Sequence, residues 1–139
     1  MIVLDTNVLS EALRPSPHPH VRAWLTRQPA ASLFTTTVSQ AEMHYGLALL
    51  PPGRRRDSLN AAIESIFDVD FAGRVLPFDS PAALAFATIA ASCRRAGQPI
   101  APLDAQIAAI AQSRNASIAT RDAAGFAGCG VPVIDPWRA

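Results

Sequence analysis

Lysine is absent from this chain, and all twelve of its basic residues are arginine. The composition therefore excludes any chemistry that requires a lysine. Among the excluded classes are phosphotransferases that form an aspartyl-phosphate, which place an aspartate after the first strand but also use a lysine near the phosphoryl group. The net charge is only +1, so the chain also lacks an overall basic field that would attract nucleic acid.

Cysteine and long apolar segments are scarce as well. Cys93 and Cys129 are the only cysteines, and their isolation favours two reduced thiols in a cytoplasmic protein over a metal site. No apolar run approaches the roughly 18 residues of a membrane span. The N-terminal segment has no basic region and has Asp5 where the apolar part of a signal peptide would continue, so we expect neither a signal peptide nor a membrane anchor.

The chain has enough apolar material for one packed domain over residues 1–139. Half of its residues are hydrophobic and 17% are charged, which is a globular composition. Apolar or β-branched segments alternate with segments of helical periodicity. This alternation predicts an α/β fold in which a central parallel sheet is covered on both faces, a three-layer α/β/α sandwich.

The segment boundaries follow from periodicity, prolines and glycines. The predicted strands are Ile2–Leu4, Ser32–Thr36, Arg74–Phe78, Ser117–Thr120 and Val131–Ile134. The predicted helices cover about 8–13, 21–25, 39–50, 54–71, 81–97 and 103–113. Pro77 predicts that the third strand lies at a sheet edge, because proline cannot donate to a sheet hydrogen bond.

Four acidic residues, far apart in the chain, are predicted to meet at one edge of this sheet. Asp5 and Asp122 follow predicted strands, whereas Glu42 and Asp104 lie near predicted helix starts. In a parallel α/β fold, strand carboxyl ends and helix amino ends share the edge where ligands bind. Two unit charges about 4 Å apart repel by about 4 kcal/mol at an effective dielectric near 20, so the cluster calls for a cation.

Each acid also has an ordinary structural interpretation. Asp5 is a favourable N-cap for the first helix. Ser39 and Glu42 have the spacing of a capping box, and Asp104 and Asp122 are both placed to interact with a helix dipole. Taken one at a time these interpretations are preferred. The four residues together favour a functional site.

A hard cation such as Mg²⁺ or Mn²⁺ prefers oxygen ligands and binds one or two carboxylates together with water and substrate phosphate. Such an ion lowers the pKa of water and stabilises charge on a phosphodiester. A carboxylate that does not bind the ion can orient or deprotonate the attacking water. The acids therefore indicate a metal-dependent hydrolase. Glu11, close to Asp5 in sequence, is a weaker candidate for a supporting role.

The segments around these acids resemble the PIN-domain ribonucleases. They are Asp5-Thr6-Asn7 after an apolar strand, Ser-Gln-Ala-Glu-Met-His-Tyr-Gly around Glu42, Pro-Leu-Asp-Ala-Gln-Ile around Asp104, and Ala-Thr-Arg-Asp ending at Asp122. Within that family the chain is similar to the VapC-type toxins of bacterial type II toxin–antitoxin modules, with the FitB-like branch nearest. The resemblance covers essentially the whole chain.

The resemblance implies roles for particular residues. Asp5, Glu42, Asp104 and Asp122 match the acidic quartet that binds Mg²⁺ or Mn²⁺ and supports hydrolysis of RNA. Asn7 matches a residue that braces the loop of the first acid, and Thr6 beside it is assigned a supporting role. Thr120 matches a hydroxyl position at the site, although a β-branched strand residue explains it equally well.

The resemblance also implies partners. Its members form homodimers and are inhibited by a cognate antitoxin, in a heterotetramer or larger complex, and a basic antitoxin residue can enter the acidic pocket. The alanine-rich segment from about Pro81 to Ala96 offers a close-packed face for a dimer, or for burial within its own domain.

Arginines are the candidate contacts for an RNA substrate. Arg121 adjoins Asp122 and is placed to meet a phosphate or to pair with an acid. Arg54, Arg55 and Arg56 lie at the predicted tip of a helical hairpin, where a phosphate contact and a solvated helix start are equally compatible with the sequence. A metal-dependent DNA nuclease and a non-catalytic PIN-like module that binds a DNA-binding antitoxin remain as alternatives.

Overall fold

The computed structural model describes all residues 1–139 and contains one five-stranded sheet. Its strands are β1 (Ile2–Leu4), β2 (Leu33–Thr36), β3 (Val75–Leu76), β4 (Ser117–Ala119) and β5 (Val133–Ile134). All neighbouring strands pair in parallel, in the order β3-β2-β1-β4-β5. The predicted parallel α/β fold is confirmed. The third strand lies at the sheet edge, although it ends at Leu76 and Pro77, on which that prediction depended, lies outside it.

Six α-helices connect the strands. They are α1 (Thr6–Ala12), α2 (Pro19–Arg27), α3 (Thr37–Ala48), α4 (Arg54–Ser65), α5 (Ser80–Arg95) and α6 (Pro102–Ser113). A π-helical turn, Ile66–Asp70, extends α4 and accounts for the longer helix predicted there. None of the helices combines the length and apolar composition needed to cross a bilayer.

Two apolar clusters fill the space on opposite faces of the sheet. Val3 and Ile118 belong to the cluster beneath α5 and α6, whereas their neighbours Leu4 and Ala119 belong to the cluster beneath α1 to α4. Successive strand residues point to opposite faces, so this division follows directly from the period of a strand. Both faces are covered, which is why β1 is a continuous apolar run.

The strand order creates a switch point beside β1. The chain proceeds from β1 outward through β2 to β3, and then returns to form β4 and β5 on the other side of β1. Ligands of such sheets bind at the carboxyl ends of the strands near this point. Asp5 follows β1 and Thr120 follows β4, so both lie at the switch point.

The start of α3 differs from the sequence prediction. Thr36 is the N-cap, and its side chain accepts a hydrogen bond from the Ser39 backbone N–H at 3.1 Å. Ser39 is therefore the third residue of the helix, and Glu42 lies in the second turn, too far along for the predicted capping box. Because Thr36 ends β2 and caps α3, one residue fixes the direction in which Glu42 leaves the sheet.

We predict that Thr36→Ala destabilises the fold by about 1–2 kcal/mol, because it removes an N-cap acceptor whose side chain is fully buried. Thr37→Ala is the matched control, since Thr37 is the exposed first residue of the same helix. Urea unfolding of both variants measures the difference. Equal losses in the two variants would contradict the assignment of the cap.

Candidate active site

The four predicted acids line one open cleft. Asp5 follows β1, Asp122 follows β4, Glu42 projects from the second turn of α3, and Asp104 from the first turn of α6. The cleft has a volume of about 620 Å³. Its other lining residues are Thr6, Asn7, Ser10, Glu11, Arg14, Arg121 and Trp137. The structure thus brings together residues that lie up to 117 positions apart in the sequence.

Asp5 is held more firmly than the other acids. Its side chain is 6% exposed; Oδ1 accepts from the Thr6 backbone N–H at 2.8 Å, and Oδ2 accepts from the Thr120 hydroxyl at 2.8 Å. Burial raises the pKa of Asp5, those two hydrogen bonds oppose the increase, and the charge of Asp122 adds to it. The structural and functional interpretations of Asp5 are therefore compatible, because it caps α1 while facing the cleft.

The Thr120 side chain connects the carboxyl ends of β1 and β4 through hydrogen bonds. Its fully buried hydroxyl donates to Asp5 and accepts from the Asn7 side-chain amide and the Asp122 backbone N–H, both at 3.1 Å. One donor and two lone pairs are all that a hydroxyl has, so each is used. Asn7 in turn accepts from the Arg121 backbone N–H at 3.3 Å. The contacts of Asn7 and Thr120 are those expected of supporting residues.

A pair of hydroxyl groups orients Glu42. The Thr6 hydroxyl lies 2.9 Å from Glu42 Oε1 and 2.9 Å from the Ser39 hydroxyl. An ionised carboxylate can only accept, so Thr6 donates to Glu42 and Ser39 donates to Thr6. Ser39 is fully buried. The serine that resembled a capping-box residue in sequence therefore supports Glu42 through Thr6.

Asp122 is the most exposed of the four acids, and a tight turn fixes it. Its Oδ1 accepts from the Gly125 backbone N–H at 3.0 Å. A Cβ atom at residue 125 would lie 2.3 Å from Asp122 Oδ2. The carboxylate can occupy this position only because residue 125 is glycine.

Asp104 carries no side-chain hydrogen bond, in contrast to the other three acids. Partial burial raises its pKa to about 6, and the negative charges of Asp5, Glu42 and Asp122 contribute in that order. The repulsion predicted from the sequence therefore contributes to the raised pKa of Asp104, after the larger effect of burial. No basic side chain relieves it, since the ion pairs of the chain join other residues.

This donor set suits a hard divalent cation. All four groups are carboxylates, and the charge of a bound cation would relieve their mutual repulsion. The acids do not close into a compact cage of three or more protein ligands. Mg²⁺ needs no such cage, because it usually keeps several waters and binds one or two carboxylates directly.

The structure separates the predicted arginines into two groups. Arg121 lines the cleft, and its guanidinium carbon lies 5.2 Å from the centroid of the Trp137 ring. Arg54, Arg55 and Arg56 begin α4 and do not line the cleft. Their role in binding RNA stays a prediction.

Sequence reasoning assigned no site role to Trp137 or Gly125 and gave Glu11 little weight. Glu11 is 6% exposed, accepts from the His18 backbone N–H at 3.3 Å and pairs with Arg14 at 3.4 Å. Only Trp137 had a usable signal: it follows the last predicted strand, whose carboxyl end lies at the same edge as Asp5. The contacts of Glu11 and Gly125 depend on loop geometry.

The PIN domain family profile matches residues 2–128, which is most of the chain. The chain belongs to the PIN domain family. Three relatives resemble it over nearly their whole length. They are plasmid stability protein StbB of Pseudomonas syringae pv. tomato (43% identical, all of both chains), toxin FitB of Neisseria gonorrhoeae (40%, 99% of both) and VapC ribonuclease Y4jK of Sinorhizobium fredii (39%, 99% of both).

Solved structures show the same PIN fold. FitAB bound to an IR36 DNA fragment contains a chain 41% identical to this one, with a TM-score of 0.92 over 99% of this chain and 96% of that chain. VapBC-5 of Mycobacterium tuberculosis, from the VapBC family of toxin–antitoxin systems, gives a TM-score of 0.67 at 28% identity over 95% and 94%. The sequence-based family assignment is confirmed.

We predict that Asp104→Asn stabilises the metal-free PIN domain above pH 6. The folded-state pKa of Asp104 is raised to about 6 from 3.8, so ionisation costs stability progressively between about pH 4 and 6, and the penalty is complete above that window. The shift alone would give about 3 kcal/mol. Because the carboxylate is only partly buried, solvent screening reduces our expectation to about 1 kcal/mol.

Thermal unfolding of the wild type and Asp104→Asn in chelator, from pH 3.5 to 8, measures this difference. Below pH 4 both side chains are neutral, so the two melting temperatures should agree. A stability difference that does not change with pH would contradict the raised pKa of Asp104.

We predict that Gly125→Ala moves the Asp122 carboxylate out of its present position and lowers the affinity for Mn²⁺ about tenfold, as displacing a supporting contact commonly does. Gly46→Ala is the control, because a Cβ atom there meets nothing within 4 Å. Calorimetric titration with Mn²⁺ compares the two variants. Unchanged affinity in Gly125→Ala would remove Asp122 from the candidate metal ligands.

Proposed function

We propose that this PIN domain is a Mg²⁺- or Mn²⁺-dependent endoribonuclease and the toxin of a type II toxin–antitoxin pair. The observation that carries the proposal is the convergence of four carboxylates in one open cleft, where none of them forms an ion pair with a basic side chain. They are Asp5, Glu42, Asp104 and Asp122. The 39% identity to a VapC ribonuclease and the 40% identity to a toxin, each over almost the whole chain, support the activity and its biological role.

The proposed reaction is hydrolysis of a phosphodiester bond. The bound ion would lower the pKa of a water molecule and stabilise the charge that develops on the phosphate. Asp5 presents its free lone pairs from a fixed position, because both of its oxygens are already anchored. Thr6 fixes Glu42, and the Gly125 N–H fixes Asp122. Asp104, without a hydrogen bond of its own, is free to orient the attacking water.

A protein partner is supported by a groove next to the acidic cleft. The groove has a volume of about 350 Å³ and runs between α1, α3 and α4. Its apolar wall consists of Leu13, Met43, Leu47, Leu59 and Ile63, and it shares Thr6, Ser10, Arg14 and Glu42 with the cleft. An antitoxin segment with apolar and basic side chains would fit both, and the related FitAB and VapBC-5 structures support such a complex.

Homodimerisation is part of the same proposal. One face of α5 is buried within the domain through Ala82, Ile89 and Cys93. This face therefore packs inside its own domain, and only the remaining surface of the helix is available to a second copy. The opposite side leaves Leu84 74% exposed. An exposed leucine on an alanine-rich helix is compatible with close packing against a second copy.

We predict that the purified, partner-free chain cleaves cellular RNA in Mn²⁺ or Mg²⁺ and that Asp104→Asn lowers the rate at least about 100-fold, because it removes the carboxylate proposed to orient the attacking water. Asp104 is preferable to Asp5 as the target, since it makes no hydrogen bond whose loss would disturb the fold. The readout is the rate of RNA fragmentation, with chelator as a second negative control.

Asp79→Asn is the matched control. Asp79 caps α5 and pairs with Arg114 outside the cleft, and asparagine caps a helix equally well. RNA cleavage that persists in chelator or in Asp104→Asn would contradict the metal-dependent mechanism. Cleavage of DNA but not of RNA would support the alternative function, a metal-dependent DNA nuclease. A chain that binds Mn²⁺ yet cleaves neither would support an interaction module.

A further inference from the structure

Arg121 has a surprising partner for an arginine in an acidic cleft. It adjoins Asp122 in sequence and lines the same cleft as all four carboxylates. It nevertheless forms no ion pair with any of them. Its guanidinium carbon instead lies 5.2 Å from the centroid of the Trp137 ring, within the range of a cation–π contact.

The hydrogen bonds that Arg121 forms involve only its backbone, so its side chain is free to contact either the Trp137 ring or the carboxylates. The Arg121 N–H donates to Asn7 Oδ1, and the next N–H, from Asp122, donates to Thr120. The residue is therefore anchored while its side chain is exposed. Only rotation of that side chain decides whether the guanidinium lies over the ring or among the carboxylates.

Trp137 is anchored as a rigid platform. Its backbone N–H donates to Asp135 Oδ1 at 2.9 Å, and its carbonyl oxygen accepts from His20 Nδ1 at 2.8 Å. The indole packs against the apolar cluster beneath α1 to α4. Because β4 and β5 are adjacent and parallel, with Ala119 opposite Ile134, Arg121 and Trp137 leave the sheet side by side.

We propose that Trp137 is a positioning residue that holds the Arg121 guanidinium at the rim of the cleft, where it contacts a phosphate of the bound RNA, and away from the metal-binding carboxylates. Trp137 is the only apolar residue of the cleft lining. Its ring face attracts a cation without supplying a negative charge that would neutralise it. The contact between Arg121 and an RNA phosphate rests on the function proposed above. The separation of Arg121 from the carboxylates by Trp137 does not.

The test compares Trp137→Phe, which keeps an aromatic face, with Trp137→Leu, which keeps apolar bulk but no π system. Each is made with Arg121 and with Arg121→Gln. Mn²⁺ affinity is the first readout. In Trp137→Leu the released guanidinium competes for the carboxylates, so the affinity falls about twofold to fivefold, the equivalent of an exposed cation–π contact. Trp137→Phe retains the wild-type affinity.

Arg121→Gln should cancel the effect, because no cation is left to release. The double variant Arg121→Gln/Trp137→Leu is therefore expected to bind Mn²⁺ as tightly as Arg121→Gln alone. An equal loss in Trp137→Leu with and without Arg121, or an equal loss in Trp137→Phe, would overturn the proposal and leave Trp137 as a packing residue. Thermal unfolding of each variant shows whether it folds. If Trp137→Leu does not fold, the Mn²⁺ affinities of Trp137→Phe and Arg121→Gln decide the test.

The second readout is the kinetics of RNA cleavage. Trp137→Leu and Arg121→Gln should each raise KM about twofold to fivefold at nearly constant kcat, and the KM of the double variant should not exceed that of either single variant. A fall in kcat at constant KM would overturn the phosphate contact. If the wild type cleaves no RNA, the proposed function fails and the Mn²⁺ measurements still decide whether Trp137 restrains Arg121.

Discussion

Repulsion among carboxylates is the constraint around which this site is built. A parallel sheet gathers Asp5 and Asp122 at one edge, and α3 and α6 bring Glu42 and Asp104 to it. Such groups tend to separate or to take up protons. Burial is the main reason why the pKa values of Asp5 and Asp104 are raised, and the charges of the neighbouring acids add to it. The hydrogen bonds that hold Asp5 in place oppose it only in part. None of the four carboxylates forms an ion pair with an arginine, so a bound cation would relieve the remaining repulsion.

The bracing of the acids is uneven, and the difference has chemical consequences. The buried Thr120 hydroxyl donates to the Asp5 carboxylate and accepts from the Asp122 backbone N–H, so one side chain links the ends of β1 and β4 at the cleft. Glu42 depends on a separate pair of hydroxyl groups. Asp104 alone projects without a partner. Hydrogen bonds therefore fix three of the acids, whereas the fourth is free to interact with a solvent molecule. The proposed reaction would use the three fixed acids as preorganised charges.

Sequence patterns were sufficient for the sheet and for the quartet because both follow from local periodicity. An apolar run that ends in an acid places that acid at a strand end, and parallel strands end at the same edge. The patterns were insufficient for contacts between segments. Ser39 matched the N-cap position of a capping box, yet the N-cap is Thr36, because β2 ends there and the helix begins at the next residue. The fully used hydroxyl of Thr120 and the steric need for Gly125 arise only when distant loops meet.

The position of Arg121 illustrates how small energies select a functional arrangement. A cation–π contact at an exposed site contributes about 0.5–1 kcal/mol, and an exposed ion pair contributes about 0–1 kcal/mol, so neither partner dominates by strength alone. A rigid ring beside the arginine can therefore tip the balance away from the acids. In the proposed reaction this selection matters, because a phosphate would have to approach four carboxylates. A divalent ion would offset only two of those negative charges, and an arginine kept at the rim of the cleft would supply a third positive charge.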